Sequence, residues 1–191
     1  MPLFKRTLIL LLISLILGVG IGVFRIASVR SSGIMRSYGS WQGTTDLPLN
    51  KDKLLTAQVT IFALFALPSQ EAVYLFAADD DQGQRLNGSN NYTVTGNVHD
   101  IKAEYWSITA YASDLYLIPN SEERYSFNRD NMQTDSAGNF TIYLSQGKSS
   151  PNWLPQQTNE KFELVLRIYK GQKEFMDNLD KANLPRIRKQ S

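Results

Sequence analysis

The sequence predicts a mainly β domain, an antiparallel sandwich or barrel, preceded by one N-terminal transmembrane helix. Two observations carry this. A single uncharged, aliphatic run of 18 residues lies near the N-terminus, Thr7–Phe24. Beyond Pro68, short segments rich in aromatic and β-branched residues follow one another with turn-formers between them and no helical pattern intervening. With 191 residues the chain accommodates one domain of ordinary size and an appendage.

The apolar run follows a short tail, residues 1–6, that carries Lys5 and Arg6. A span needs roughly 20 apolar residues, and Arg25 can snorkel to the interface, so the anchor is read as residues 7–29. The run is longer than the h-region of a cleaved signal peptide, and Ala27–Ser32 offers poor small-x-small cleavage sites. Basic residues flank both ends, so the positive-inside count does not orient it. The short tail and the long folded part favour a cytoplasmic N-terminus and a periplasmic domain, in a bacterial inner membrane. Gly18 and Gly22 form a G-x-x-x-G pair, a weak candidate for close helix packing and a homo-oligomer.

Residues 30–50, rich in Ser, Gly and Thr, read as a tether with one aromatic patch at Tyr38–Trp41. The exported domain is placed at 51–191. It opens with KDKLLTAQVTIFALFALP, where Asn50 serves as cap, Pro68 as stop and Leu55, Val59 and Phe62 as a helical stripe, the pattern of a buried helix. Strands are expected at 71–78, 91–96, 103–111, 114–118, 139–145 and 161–169. From Lys173 a short helix and a solvated basic end (Arg186, Arg188, Lys189) complete the chain.

Charge narrows the class of partner. Five basic and no acidic residues lie between Met1 and Arg36, leaving 15 Lys and Arg against 18 Asp and Glu beyond, a net of −3. A mildly acidic body lacks the basic face that a phosphate backbone requires, so nucleic acid is not an expected partner. The absence of cysteine removes disulfides, thiolate metal sites and a Cys nucleophile.

Alternation assigns two faces to the strands. Phe162, Leu164, Leu166 and Ile168 oppose Glu163, Val165, Arg167 and Tyr169; Phe140, Ile142 and Leu144 oppose Thr141, Tyr143 and Ser145; Trp106, Ile108 and Ala110 oppose Tyr105, Ser107, Thr109 and Tyr111. The second set is either the solvated side of a sheet or a polar, sugar-like binding face with Tyr111, Tyr143 and Tyr169 stacking and Arg167 fixing an anion or hydroxyl pair.

Catalytic patterns are weak. His99 is the one histidine and no G-x-S-x-G elbow accompanies it, so a surface turn is the better reading. Asp79 and Asp81 begin like a calcium loop, but the twelfth position is Asn90, which leaves a loose oxygen-ligand site or a tight acidic turn. Glu104 and Glu163 are the carboxylates available for glycoside hydrolysis, and a structural Glu163–Arg167 ion pair competes with that role. There is no phosphate loop or dinucleotide fingerprint, and no cofactor is expected.

The ordered series EAVYLFAADDDQGQRLNGSNNY, YWSITAY, NSEERYSF, NWLP and FELVLRIY resembles the uncharacterised bacterial domain family numbered 1214 among domains of unknown function, from about Leu54 to Pro185. Larger members carry this domain after a second uncharacterised one, and the chain looks like the short, membrane-anchored form. The resemblance implies a jelly-roll-like sandwich. Family motif positions fall on Arg124, Asn152 and Arg167, the polar members least easily explained as core, so these join the three tyrosines as the candidate ligand site. The NWLP motif implies a corner pinning one sheet to the other. The segment NVHDIKAE lacks the prolines expected before YWS, so the loop shaping a cleft differs here.

Three functions follow as expectations. The first is a non-enzymatic, membrane-anchored envelope protein that binds a glycan-like polar ligand or a partner protein. The second is an envelope hydrolase using Glu163, Asp81 or His99. The third is a structural membrane protein that dimerises through its helix.

Overall fold

The computed structural model describes residues 3–27, 35–45, 67–156 and 159–190, with the side chains of 26 and 27 excepted. The helix expected ahead of Pro68 falls outside the described residues. The chain divides into two compact units, and every strand belongs to the second.

The first unit contributes α1 (Leu3–Ala27). Its Leu3–Arg25 stretch, whose most apolar 18 residues have a mean hydropathy of 2.7, is long and apolar enough to cross a membrane. The helix starts before Lys5 and Arg6, so these lie in its first turns.

In the second unit the strands are β1 (Arg36–Tyr38), β2 (Trp41–Gly43), β3 (Ala72–Ala77), β4 (Tyr92–Asn97), β5 (Ala103–Ala112), β6 (Ser126–Asn128), β7 (Asn139–Ser145), β8 (Trp153–Pro155), β9 (Phe162–Gly171) and β10 (Arg186–Lys189). A short helix α2 (Lys173–Asp177) and a 3-10 turn at Leu179–Lys181 precede β10. One sheet has the order β1-β2-β3-β9-β5-β6 and is antiparallel throughout; the other has the order β10-β4-β7-β8. In the second sheet only the short β7–β8 pair is parallel.

The two sheets share one core, as a sandwich requires. Val73, Leu75, Trp106, Ile108, Leu164 and Leu166 from the first sheet and Val94, Phe140, Ile142, Leu144 and Leu154 from the second form a single buried cluster. Two aromatic pairs cross between the layers: Trp106 meets Phe140 at 5.9 Å and Tyr92 meets Phe162 edge-on at 5.7 Å. Each fully buried side chain of this size contributes about 1.5–3 kcal/mol. The alternation thus places the inner face of β5, β7 and β9 correctly.

Four stretches differ from expectation. Residues 36–43, read as tether, form a hairpin that extends the first sheet. Gly39 turns it at φ 65°, and Trp41, 1% exposed, donates its indole N–H to the Pro185 carbonyl at 2.7 Å. The basic end is not solvated coil but β10, an edge strand along β4, with Ile187 fully buried and Arg186, Arg188 and Lys189 outside. Residues 114–118 make a tight turn bearing one isolated bridge, Tyr111 to Leu117. The Asp114 carboxylate accepts the Tyr116 N–H at 3.0 Å and Leu115 between them adopts φ 67°, so no ladder forms. NWLP is not a corner alone, since Trp153–Pro155 pairs with β7.

Candidate functional site

The outer face of the six-stranded sheet holds three of the six predicted ligand residues. Register places Arg167 on β9 between Tyr74 on β3 and Ser107 on β5, with Tyr169 opposite Tyr105 and Glu163 opposite Tyr111. The guanidinium donates to Thr109 Oγ1 at 2.8 Å and to the Tyr111 hydroxyl. It also lies over the Tyr74 and Tyr111 rings, 6.0 and 5.2 Å from their centroids. Tyr169 packs against Tyr74 at 6.3 Å and Tyr105 at 5.7 Å. Burial, then a hydrogen bond with Tyr169, pushes the Tyr74 phenol up to about 12.

This face is only partly solvated, with Tyr105 exposed and Tyr74, Tyr111, Arg167 and Tyr169 half-buried. Ser107 and Thr109 are only 5% and 3% exposed. Arg167 braces β9 to β5, spending one N–H of each terminal nitrogen on a β5 hydroxyl. The expected Glu163–Arg167 pair does not form: Arg85 sits 3.7 Å from Glu163 and 3.6 Å from Asp79, while Arg167 turns to the hydroxyls.

Asn152 is likewise spent on structure. Its Oδ1 accepts the Gln133 N–H at 2.9 Å, and its Nδ2 donates to the Gln133 carbonyl at 2.7 Å and the Thr141 carbonyl at 3.2 Å. Its own carbonyl accepts the Tyr143 N–H at 2.8 Å. Tyr143 stands beside Trp153 on the outer side of the second sheet, so it does not join Arg167, Tyr111 and Tyr169.

Arg124 is placed differently. It closes a turn in which Glu123 adopts φ 49°, a conformation rare for an L-residue. Asn120 holds this turn from inside: Oδ1 accepts the Glu122 and Arg124 N–H groups, each at 3.1 Å, and Nδ2 donates to the Arg124 carbonyl at 3.0 Å. Among the described residues the guanidinium meets the face of Phe127, 5.1 Å from the ring centre, and no hydrogen-bond acceptor. It lines a recess of about 570 Å³ together with Lys148, Glu122 and Trp153. Asn131, Gln133 and Ser150 add amide and hydroxyl groups. Lys148 donates to Glu122 at 2.7 Å, and this bond holds the Glu122 carboxyl below the usual range. Trp153 is anchored by its indole N–H to the Ser145 carbonyl at 3.0 Å.

Glu122 lies within the NSEERYSF motif, which does not single it out, and sequence patterns do not point to Lys148, Asn131, Gln133 or Ser150. These four lie on loops with no periodicity, and no motif marks them.

The remaining candidates do not converge. Among the described residues no three His, Asp or Glu side chains gather as a metal site. Asp79 faces Arg85, and Asp81 accepts from Ser40 Oγ at 2.6 Å and the Ile187 N–H at 3.1 Å. Between them, buried Asp80 accepts the Gln82 and Gln84 N–H groups at 2.9 Å, closing a tight turn with Gly83 at φ 73°. His99 lies exposed in a turn. Glu104 sits opposite Lys170 and Glu163 opposite Tyr111, on opposite sheet faces and roughly 23 Å apart along β5 at about 3.3 Å per residue. Glycosidase carboxylates stand roughly 5–9.5 Å apart, so this pair is no such dyad. Gly18 and Gly22 have open space where a side chain would stand.

Residues 71–173 match a family model described as a protein of unknown function, DUF1214. The chain belongs to this family. The DUF1214 match takes in Arg124, Asn152 and Arg167 but leaves β1, β2 and β10 outside. Among solved structures, the VPA0106 protein from Vibrio parahaemolyticus is 25% identical with a TM-score of 0.62, over 91% of this chain and 44% of that one. An uncharacterised protein from Burkholderia cenocepacia is 14% identical with a TM-score of 0.43, over 88% of this chain and 39% of that one. The chain therefore spans less than half the length of either. No curated protein matches it.

Proposed function

We infer that this DUF1214 protein is a membrane-anchored binding protein of the bacterial envelope. Its helix α1 spans the inner membrane with the N-terminus in the cytoplasm, and the β domain on the periplasmic side takes a small polar, glycan-like ligand in the Arg124 recess. One observation carries the binding reading: a guanidinium with no hydrogen-bond acceptor among the described residues lines a recess of about 570 Å³. Recesses of roughly 300–1,000 Å³ suit small molecules, and a few convergent polar groups fix their orientation. The separation of Glu104 from Glu163 supports binding over glycoside hydrolysis.

The test is isothermal titration of the full chain in detergent micelles with neutral and acidic mono- and disaccharides. The expected result is heat from at least one sugar, abolished by Arg124→Ala with the thermal midpoint preserved. Silence across the panel refutes the recess as a sugar site. Protease added to spheroplasts should digest the β domain from outside; protection there would refute the topology.

A further inference from the structure

The recess is rich in donors and held rigid on two sides. Asn120 fixes the backbone that presents Arg124, and Asn152 fixes Gln133 on the opposite wall. Preformed walls spare a ligand the ordering cost of building its own site. The groups facing the space give protons more than they take them. Asn131 Oδ1 already accepts the Asn128 N–H at 2.8 Å, which leaves its amide N–H₂ to donate. Ser150 Oγ already accepts the Asn152 N–H at 3.0 Å, which leaves its hydroxyl proton to give. Arg124 and Lys148 supply two positive charges, and Glu122 is the one carboxylate, bonded to Lys148.

We propose that the recess takes the carboxylate or phosphate of a small hydroxylated molecule, bound by the Arg124 fork, with that anion displacing Glu122 from Lys148. Arg124 pairs with two oxygens of such a group in one plane, a geometry a lysine does not reproduce. Lys148 and Glu122 are both partly exposed, so their exchange needs no rearrangement of the core. The hydroxyl and amides of Ser150, Asn131 and Gln133 meet the ligand's hydroxyls. This assignment rests on the recess being a ligand site and adds the charge class of the ligand.

The experiment is isothermal titration of the full chain in micelles with D-glucuronate, glucose 6-phosphate, glucose and inorganic phosphate. At least one sugar anion should bind at least about tenfold more tightly than glucose, as charge-assisted bonds require. Comparing glucuronate with glucose 6-phosphate separates a carboxylate ligand from a phosphate one. Arg124→Lys should weaken the anion about tenfold at an unchanged thermal midpoint. Glu122→Gln, which frees Lys148, should tighten it about threefold. Equal binding of glucose and the anions overturns the charge assignment while leaving the recess a sugar site. Silence from all four overturns both. Inorganic phosphate as tight as glucose 6-phosphate overturns the role of the hydroxyls, and a Glu122→Gln variant that binds more weakly overturns the displacement.

Discussion

Asn152 and Gln133 are joined by a two-point clamp, the side-chain amide of one closing on both the N–H and the carbonyl of the other at 2.9 and 2.7 Å. Asn152 is 6% exposed, so its end of the clamp is shielded from water while the Gln133 end is exposed. The clamp, with its third bond to Thr141, fastens the 131–133 loop to the β7–β8 edge and thereby sets one wall of the recess.

Asn152→Ala should therefore be a stability mutation. It removes two bonds to Gln133 and one to Thr141, each contributing about 0.5–1.5 kcal/mol. We expect a fall in the thermal midpoint on the order of 10 °C, followed by circular dichroism. A fall under about 2 °C would mean that the loop finds other partners. Asn152→Asp should be no better, since a carboxylate would face two carbonyl oxygens.

Arg167 predicts coupling rather than a ligand effect. Its guanidinium serves Thr109 and Tyr111 together, so Arg167→Lys and Tyr111→Phe remove parts of one unit. A double-mutant cycle in urea should give an interaction energy of about 0.5–3 kcal/mol. Additive losses would show that the brace is made of independent contacts, and lost sugar binding in Arg167→Lys would move the site to this face.

Local pattern makes the long strands legible in the amino-acid sequence. Alternation gives 139–145 its observed bounds, and 103–111 and 161–169 come within two residues, because long strands with one buried face alternate for several periods. The edges escape it. β10 carries one inward apolar side chain, Ile187, among three cations, and β6 and β8 are three residues each, too short for a period to show. The aromatic pair Tyr38 and Trp41 is visible, but a hairpin of three-residue strands in a Ser/Gly-rich stretch offers no run to recognise. Arg124 and Asn152 are marked by family resemblance alone, and Arg167 by resemblance and by its place in the alternation. That mark does not distinguish a clamp, a brace and a candidate ligand hold, because the difference lies in which distant loops meet. Lys148 and Glu122 are 26 residues apart and touch only through the fold.

Tyr74 gives a pH prediction with a definite sign. Its phenol is raised to about 12 by burial and the Tyr169 hydrogen bond. An unfolded tyrosine loses its proton near about 10. Between those values the unfolded state binds fewer protons than the native one, so stability falls with rising pH. The contribution is whole below about pH 10 and lost as pH passes about 12. Tyr74→Phe should flatten that alkaline limb in urea midpoints measured across the window. An unchanged slope would show that Tyr74 ionises natively as it does in the unfolded chain.

The hairpin before the matched family segment should be indispensable. Trp41 is buried in the shared core and ties β2 to the entry of β10 through Pro185. Trp41→Ala leaves a large cavity, and such losses run to about 3–5 kcal/mol. Trp41→Phe keeps most of the apolar volume but strands the Pro185 carbonyl and should cost less, about 1–3 kcal/mol. Chemical denaturation of both variants in micelles separates packing from the hydrogen bond. If both are nearly neutral, residues 36–43 lean on the sheet without supporting it, and the tether reading of that stretch returns. If Ala is severe and Phe intermediate, the folding unit begins at Arg36, some 35 residues ahead of the segment that the DUF1214 match covers.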